Sequence, residues 1–251
     1  MVTTKTRLNI DALVIKEMSV GESDKLLTLL TRDYGVIKAF SAGAKKITSK
    51  KFSASSLLSY ANFSLVKVND TYKIYEASSI CSFFTAGQDI AVLSLAQYFC
   101  ELASSLVPSD IQSEEYLRLL LNSLDQLVNK KRNIYLIKSL TEFRFAALSG
   151  YMPDLIACDK CAAYDGDLFY FDVQTGKLFC KNCNNSTSNE KPINRTLLDA
   201  MRHIIFSEFN KLYNFEIPDE HAKALSNITE EFLMLCSERK FSTLSFFKSV
   251  C

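Results

Sequence analysis

Two pairs of cysteines constrain this chain more than any other feature of its sequence. Cys158 and Cys161 form one C-x-x-C pair, Cys180 and Cys183 form a second, and eighteen residues separate the two pairs. This spacing is typical of a tetrathiolate zinc site, in which each pair supplies two ligands to one tetrahedral ion. Four thiolates leave no coordination position for water, so we expect one structural Zn²⁺ and no metal catalysis.

Two other interpretations of these cysteines stay open. A redox-active C-x-x-C pair normally begins a helix, whose dipole lowers the thiol pKa. The residues after Cys161 lead instead into a predicted β-hairpin that turns at residues 174–176, which argues against redox chemistry. The second alternative is that the two pairs never meet. The other four cysteines are predicted to behave as small apolar side chains: Cys81, Cys100, Cys236 and Cys251.

The first eighty residues have the pattern of short strands separated by turns. Runs rich in β-branched and apolar residues predict strands over 8–15, 25–31, 36–41, 59–68 and 72–81. Five strands in this length match the size of an OB-fold, a small closed barrel. We therefore predict an OB-fold domain over residues 1–82.

The apolar period then changes from two residues to about 3.6, which is typical of amphipathic helices. Asp89, Ser113 and Asn133 are candidate N-caps, and Gly150 is a candidate helix stop. The resulting prediction is an α+β multidomain protein, in which a helical domain over 83–251 carries an inserted zinc module at about 155–185. The predicted helices cover 90–106, 114–129, 134–149, 195–212 and about 219–239.

One segment of the first domain is markedly basic. From Tyr34 to Asn69 the sequence contains no carboxylate but six lysines: Lys38, Lys45, Lys46, Lys50, Lys51 and Lys67. A lysine cluster of this kind attracts polyanions and is the expected feature of sequence-independent nucleic-acid binding. A solvated surface loop would have the same composition, so the lysines alone do not decide between the two.

Several functional classes have no support in the sequence. Phosphate-binding glycine loops, the H-E-x-x-H zinc motif and the G-x-S-x-G nucleophile elbow are all missing, so we do not expect an enzyme. The two histidines, His203 and His221, fall on separate predicted helices. Charges interrupt the first twenty residues, and no apolar run approaches the roughly twenty residues needed to span a bilayer. We expect a cytoplasmic protein that makes no use of a membrane.

At this point the sequence resembles a known family, RecO, the bacterial recombination mediator and DNA-annealing protein of gap repair. The resemblance rests on the order and spacing of several short motifs along the whole chain. These are ALVI at 12–15, GESDKLLTLLT at 21–31, YG at 34–35, SAGAKK at 41–46, GYMPDL at 150–155 ahead of the first cysteine pair, and ERKFSTL at 238–244.

The resemblance implies an N-terminal OB-fold, a helical C-terminal domain with the zinc module, binding to single- and double-stranded DNA, and strand annealing without ATP. It also implies two protein partners, RecR and the C-terminal tail of the single-strand-binding protein, and a nucleoid-associated location. An OB-fold holds strands through a basic groove and aromatic stacking platforms. We assign Phe40 and Phe52 to bases, with core packing as the alternative, and the phosphate contacts to Arg32, Lys38, Lys45, Lys46, Lys50, Lys51, Arg239 and Lys240.

Two further functions stay open. A zinc-stabilised protein–protein adaptor without direct DNA binding would share the same motifs, and its basic loop would serve solubility. A nuclease with an unrecognised metal site is a third possibility. The dependence of DNA binding on salt separates the DNA-binding mediator from the adaptor, because phosphate-driven binding weakens steeply as salt rises.

Overall fold

The computed structural model describes residues 7–69, 71–84, 87–129 and 131–251. The chain forms two compact units, one made of Met1–Val128 together with Phe241–Cys251 and the other of Asn129–Lys240. The last residues of the chain therefore belong with the first unit. The boundary suggested at residues 82 and 83 is a division by type of fold, and it stays a prediction.

The first unit contains a closed five-stranded barrel, as predicted. The strands are joined in the order β1-β2-β3-β5-β4, and all neighbours are antiparallel except β3 and β5. The predicted strands are present and the first extends further than expected. Their bounds are β1 Arg7–Val20, β2 Asp24–Thr31, β3 Val36–Ser41, β4 Ser59–Val68 and β5 Thr71–Ser82.

Alternation of apolar and polar residues along the strands places the apolar side chains inside the barrel, where they form one core. Successive side chains of a strand point to opposite faces, so every second residue of β2 and of early β5 faces inward. The fully buried side chains include Leu27, Leu29, Phe63 and Leu65. The polar residues between them are left on the outer surface, where a ligand can reach them.

The turn between β2 and β3 requires a glycine at position 35. Its φ is +64°, a left-handed conformation, and a Cβ placed on it would lie 1.9 Å from the carbonyl oxygen of Pro108. The same carbonyl accepts a hydrogen bond from the backbone N–H of Val36 at 3.2 Å. The segment around Pro108 thus packs directly on this turn, and a side chain would prevent it.

Six helices are present among the described residues, and their N-caps partly follow the prediction. The side chains of Asp89 and Asn133 cap α1 and α3, and α3 ends ahead of Gly150, whose φ is +92°. The hydroxyl of Ser113 instead donates a hydrogen bond to the carbonyl of Thr31 at 2.7 Å. The predicted helix 195–212 is too long, because α4 ends at Phe206 and Ser207 is extended. The bounds are α1 Ile90–Leu106, α2 Glu114–Val128, α3 Ile134–Leu148, α4 Arg195–Phe206, α5 Asp219–Ser237 and α6 Ser242–Val250.

The second unit combines α3, α4 and α5 with a four-stranded sheet of order β6-β8-β7-β9. The strands are β6 Asp154–Cys158, β7 Leu168–Asp172, β8 Lys177–Cys180 and β9 Glu190–Asn194. Three aromatic rings, those of Phe143, Phe171 and Phe232, join the sheet to α3 and α5 with centroids 5.4 to 6.0 Å apart. The predicted α+β class, with a cysteine module inserted between helices, is confirmed.

Three elements were not predicted: β6, β9 and α6. The polar sequence NNSTSNEKP at 184–192 is typical of a loop, but β9 begins within it at Glu190. Pro192 argues against a central strand, and β9 accommodates it because it lies at the edge of the sheet. Among the residues that the structure describes, no helix is both long enough and apolar enough to cross a membrane.

Candidate nucleic-acid interface and metal centre

The basic segment between β3 and β4 is an ordered loop that is tied to the barrel at several points. The N–H of Gly43 donates to Oδ1 of Asp24 at 2.8 Å, and the N–H of Lys45 donates to the carbonyl of Ser23 at 2.9 Å. Further along, Lys25 Nζ donates to the carbonyl of Ser55 at 3.1 Å. Ala44 and Ala54, which belong to the loop, are fully buried. The barrel therefore holds the loop lysines in defined positions.

Acidic residues from other strands lie among these lysines. Hydrogen bonds lower the pKa of Asp24, chiefly that from the N–H of Gly43, and the charges of Lys51 and Lys46 lower it further. Lys25 forms an ion pair with Glu17 at 2.7 Å. The loop sequence contains no carboxylate, but the tertiary structure thus makes the surface mixed in sign.

Lys50 and Lys51 face a groove on the outer surface of the barrel. The groove has a volume of about 760 Å³, and its other lining residues are Ser49 of the same loop and residues of β1, β4 and β5. Burial lowers the pKa of Lys51, and so does the nearby charge of Lys73, while Asp24 raises it. The two loop lysines thus bring positive charge to the groove and Lys73 adds charge near Lys51, while the groove also contains the carboxylate of Glu76.

Lys38 lies elsewhere on the barrel. With Lys67, Tyr72 and Asp110, it lines a separate cavity of about 290 Å³. Lys67 Nζ lies 5.8 Å from the centroid of the Tyr72 ring. The predicted lysines therefore do not form one patch, because β3 carries Lys38 away from the groove that contains Lys50 and Lys51.

The remaining predicted phosphate ligands differ in how available they are. Arg32 is exposed, but its guanidinium lies 3.3 Å from Glu114 and 3.9 Å from Asp33. Lys45 Nζ donates to the carbonyl of Gly21 at 3.2 Å, and Lys46 is exposed. Arg239 and Lys240 are exposed at the end of the second unit, after Glu238 ends α5 in a left-handed conformation.

The two phenylalanines assigned to bases are also placed differently. Phe40 lies on β3 and is half-buried, whereas Phe52 is 37% exposed in the basic loop. Lys25 Nζ lies 5.8 Å from the centroid of the Phe52 ring. A partly exposed ring beside a cation is available to a ligand, so Phe52 stays a candidate on the described surface.

The four paired cysteines converge on one point of the second unit. Their Sγ atoms all lie within 4.8 Å of one another, and those of Cys161 and Cys180 are 3.7 Å apart. A tetrahedral ion with Zn–S bonds of about 2.3 Å needs sulfurs roughly 3.8 Å apart. The pairs therefore do meet, and the arrangement fits a single tetrathiolate ion.

The sheet explains why the two pairs meet. Cys158 ends β6 and Cys180 ends β8, and these strands run parallel with Cys158 aligned to Leu178. After each strand, a tight turn carries the second cysteine of the pair, with N–H groups returning to the carbonyls of Cys158 and Cys180. The strand pairing thus brings together residues that are far apart in the sequence.

The thiol chemistry of the cluster suits a cation. Burial, the largest single influence, raises the pKa of the Cys158 thiol, but hydrogen bonds from the N–H groups of Cys180, Cys161 and Lys160 outweigh it and bring the pKa to about 6. Hydrogen bonding to Cys161 raises the pKa of Cys183 to about 12. Four thiolates this close together would repel one another, so they need either protons or a cation between them. A metal ion that replaces the protons stabilises all four in the charged form.

A buried carboxylate supports the loop that follows the cluster. Glu190 is 7% exposed, and its two oxygens accept hydrogen bonds from the backbone N–H of Asn185 at 2.9 and 3.1 Å. The side chain of Asn185 adds a further hydrogen bond at 2.9 Å. Glu190 therefore fixes the chain two residues beyond Cys183.

Comparison with known proteins places the sequence in one family. A model described as the N terminal of Recombination protein O matches residues 5–86, and a model described as its C terminal matches residues 87–244. A protein called DNA repair protein RecO from Acetivibrio thermocellus is 26% identical over 97% of both chains. A protein of the same name from Caldicellulosiruptor bescii is 28% identical over 95% of this chain and 96% of its own. Another from Dehalococcoides mccartyi is 29% identical over 83% of this chain and 82% of its own.

Barrel, helices and cysteine cluster together define a protein with an OB-type barrel joined to a helical domain that contains a potential metal centre. Together the two family models cover residues 5–244, which is nearly the whole chain. The chain belongs to the Recombination protein O family, RecO.

Proposed function

We propose that this protein is a DNA repair and recombination mediator that binds single- and double-stranded DNA and anneals complementary strands. Membership of the RecO family over residues 5–244 carries the proposal, since the relatives are named as DNA repair proteins. The groove between the basic loop and strands β1, β4 and β5 supplies the chemistry, because Lys50 and Lys51 can neutralise phosphates there. Neutralised backbones let two strands approach, and base pairing then provides the specificity.

This function needs no chemical step. Annealing is driven by base pairing, so the protein contributes binding and proximity and works without a nucleotide cofactor. We infer that it is not an enzyme and that it acts in the cytoplasm, on the nucleoid. Its protein partners are RecR and the C-terminal tail of the single-strand-binding protein. Membership of the family is what supports these two partners. In this proposal they bring the protein to single-stranded gaps.

The ion that the four cysteines hold is zinc in this proposal. An all-sulfur tetrahedral set favours Zn²⁺ over the oxygen-preferring Mg²⁺ and Ca²⁺, and Zn²⁺ adds no redox chemistry of its own. When bound, the ion cross-links the ends of β6 and β8. The role of the site is therefore to stabilise the sheet, and the DNA contacts lie with the basic residues.

Fluorescence anisotropy of a labelled single-stranded oligonucleotide at several salt concentrations tests the function. We expect binding that weakens steeply with salt in the wild type and is much reduced in a Lys50→Ala/Lys51→Ala variant. A Lys16→Ala/Lys223→Ala variant removes the same charge from exposed positions outside the groove and is the matched control. A strand-annealing assay with the same proteins follows the activity itself.

The outcomes separate the open alternatives. If the wild type fails to bind DNA even at low salt, the mediator function is wrong and the zinc-stabilised adaptor is favoured. Binding that both double variants retain would place the interface outside the groove. Degradation of the oligonucleotide that depends on magnesium would indicate a nuclease.

A further inference from the structure

Tyr75 lies in the groove in an unusual backbone position. In the pairing of β4 with β5, Ser64 faces Glu76 and Leu65 faces Ile74, so Tyr75 is the additional residue of a β-bulge. A bulge shifts the alternation of side chains and can re-aim one of them. Tyr75 points outward in regular alternation with the buried Ile74, and the bulge leaves the next residue, Glu76, on the same outer surface. Tyr75 is 43% exposed there and lines the groove.

Two cations flank the ring of Tyr75. The guanidinium carbon of Arg7 lies 4.9 Å from the ring centroid, and Nζ of Lys73 lies 5.8 Å from it. Cations at these distances interact with the negative face of an aromatic ring. A base that stacks on the ring would displace one of these cations from the ring face, and the displaced charge would then lie beside the phosphates of the strand. Aromatic and cationic groups are thus placed together, as single-strand binding requires.

The other residues of the groove complete a surface for one strand. Asn9, Asn62, Ser64 and Ser78 line it with amide and hydroxyl groups. Each of these groups can both donate and accept a hydrogen bond, so they can contact the edges of any base without selecting one. The loop lysines Lys50 and Lys51 line the same groove, where they can contact the backbone of a bound strand.

We propose that Tyr75 is a stacking platform for an unpaired nucleobase, with the strand's phosphates held by Lys50, Lys51, Lys73 and Arg7. The proposal rests on the proposed function and names the part of the nucleic acid that this groove takes. The faces of a base inside a duplex are covered by its neighbours, so the platform acts on single strands and has no counterpart in the binding of duplex DNA. The protein thereby distinguishes unpaired from paired DNA at this position.

Three ligands of equal length test the proposal by anisotropy: a single-stranded oligonucleotide, its abasic counterpart with the same phosphates, and a duplex. Tyr75→Ala should weaken binding of the first by roughly 5- to 150-fold, the loss of one stacked base. It should leave the other two within about twofold, because phosphate contacts dominate there. Tyr75→Phe keeps the ring and should bind as the wild type does.

The chain has no tryptophan, which allows a direct observation of stacking. A Tyr75→Trp variant carries a single indole in the groove, and its fluorescence should be quenched as the single strand saturates the site but unchanged by the abasic strand. Met18→Trp is the control, because Met18 is similarly exposed at 51% on the barrel and does not line the groove.

The results distinguish failure of this inference from failure of the proposed function. A wild type that binds none of the three ligands overturns both. A wild type that binds single strands, together with a folded Tyr75→Ala variant of unchanged affinity, overturns the stacking platform alone. An equal loss of affinity for all three ligands also overturns it, since Tyr75 would then act only by positioning Arg7 and Lys73.

Discussion

Glu101 caps a helix that begins 141 residues later in the chain: its Oε2 accepts a hydrogen bond from the backbone N–H of Thr243 at 2.9 Å. Oε1 accepts from the N–H of Ser242 at 3.2 Å, and the hydroxyls of both residues donate to the same carboxylate. Phe241 at the N-cap of α6 offers no side-chain cap. The carboxylate from α1 therefore satisfies the free N–H groups of a nine-residue helix and complements its dipole.

Replacing Glu101 by alanine should destabilise the first unit. Loss of an N-cap costs about 1–2 kcal/mol of unfolding free energy, and we expect this range by urea denaturation. Glu101→Gln keeps an acceptor oxygen without the charge and should cost less. A variant as stable as the wild type, with unchanged hydrogen exchange in α6, would contradict the role of Glu101.

The contribution of Glu101 should also depend on pH. Burial alone raises the pKa of this carboxyl, but the hydrogen bonds from Thr243 and Ser242 outweigh it and hold the pKa below its ordinary value of 4.5. A depressed pKa means that the stabilisation is present above 4.5 and is lost as the pH falls through the lower folded-state pKa. The difference in stability between wild type and Glu101→Gln should therefore shrink below about pH 4.5 in acid unfolding.

Lys138 is the centre of a buried charge network in the second unit. Its Nζ lies 2.8 Å from Oε1 of Glu142 and 3.0 Å from Oε2 of Glu230, and the side chains of Lys138 and Glu142 are 1% and 0% exposed. Lys138→Met leaves the carboxylates without their cation and should cost about 3–5 kcal/mol in chemical denaturation. The triple variant with Glu142→Gln and Glu230→Gln should recover much of that loss, whereas no recovery would show that packing is the cause.

The metal content of purified protein should be one zinc ion per chain. Cys180→Ser removes a ligand and should abolish stoichiometric zinc, measured by mass spectrometry of the metal. Cys81→Ser changes a free, exposed cysteine outside the cluster and should retain the metal. Because protons compete with the ion for thiolates, zinc should be released as the pH falls. Retention of full zinc by Cys180→Ser would contradict the site.

Removing the metal with a chelator should loosen the sheet that the ion cross-links. We expect faster amide hydrogen exchange in β6 and β8, whose ends carry the cysteines, than in the barrel of the same sample. Exchange that is unaffected by chelation would show that the sheet does not depend on the metal.

The predicted phosphate ligands should differ in their effect on salt dependence. On single strands, the slope of log affinity against log salt is negative, and each lost phosphate contact reduces its magnitude by about 0.7. Lys50→Ala and Lys51→Ala should each show this change, whereas Arg32→Ala should show less, because Arg32 already pairs with Glu114 and Asp33. Equal slopes for all three variants would show that the ion pairs of Arg32 open when DNA binds.

Gly35 and Gly21 separate backbone strain from steric conflict. Both have positive φ, but a Cβ at Gly21 meets nothing within 4 Å, whereas one at Gly35 would collide with the carbonyl of Pro108. Gly21→Ala should cost about 1–2 kcal/mol of unfolding free energy. Gly35→Ala should exceed roughly 4 kcal/mol, the range of exceptional substitutions. Equal losses would mean that the segment at Pro108 moves away without cost.

Local patterns in the sequence were sufficient for much of this protein. The five strands of the barrel follow from a period of two, and the first three helices follow from a period of 3.6 and from the caps Asp89 and Asn133. The spacing of the cysteine pairs predicted the cluster, because a C-x-x-C turn sets the position of its second sulfur locally. Resemblance of short motifs to RecO predicted the family, which the matches over residues 5–244 confirm.

Tertiary structure decided whatever depends on distance through space. Sequence composition could not show that Lys38 faces a different cavity from Lys50 and Lys51, or that Asp24 and Glu17 lie beside the basic loop. The bulge at Tyr75, which leaves Tyr75 and Glu76 on the same surface, depends on the register of two strands, and a register is a property of the pair rather than of either sequence. The sequence did not predict α6 for a similar reason, because the carboxylate that caps its N-terminus comes from Glu101 on another helix. Periodicity and spacing are read along the chain, whereas caps, registers and electrostatic neighbours exist only once distant segments have packed together.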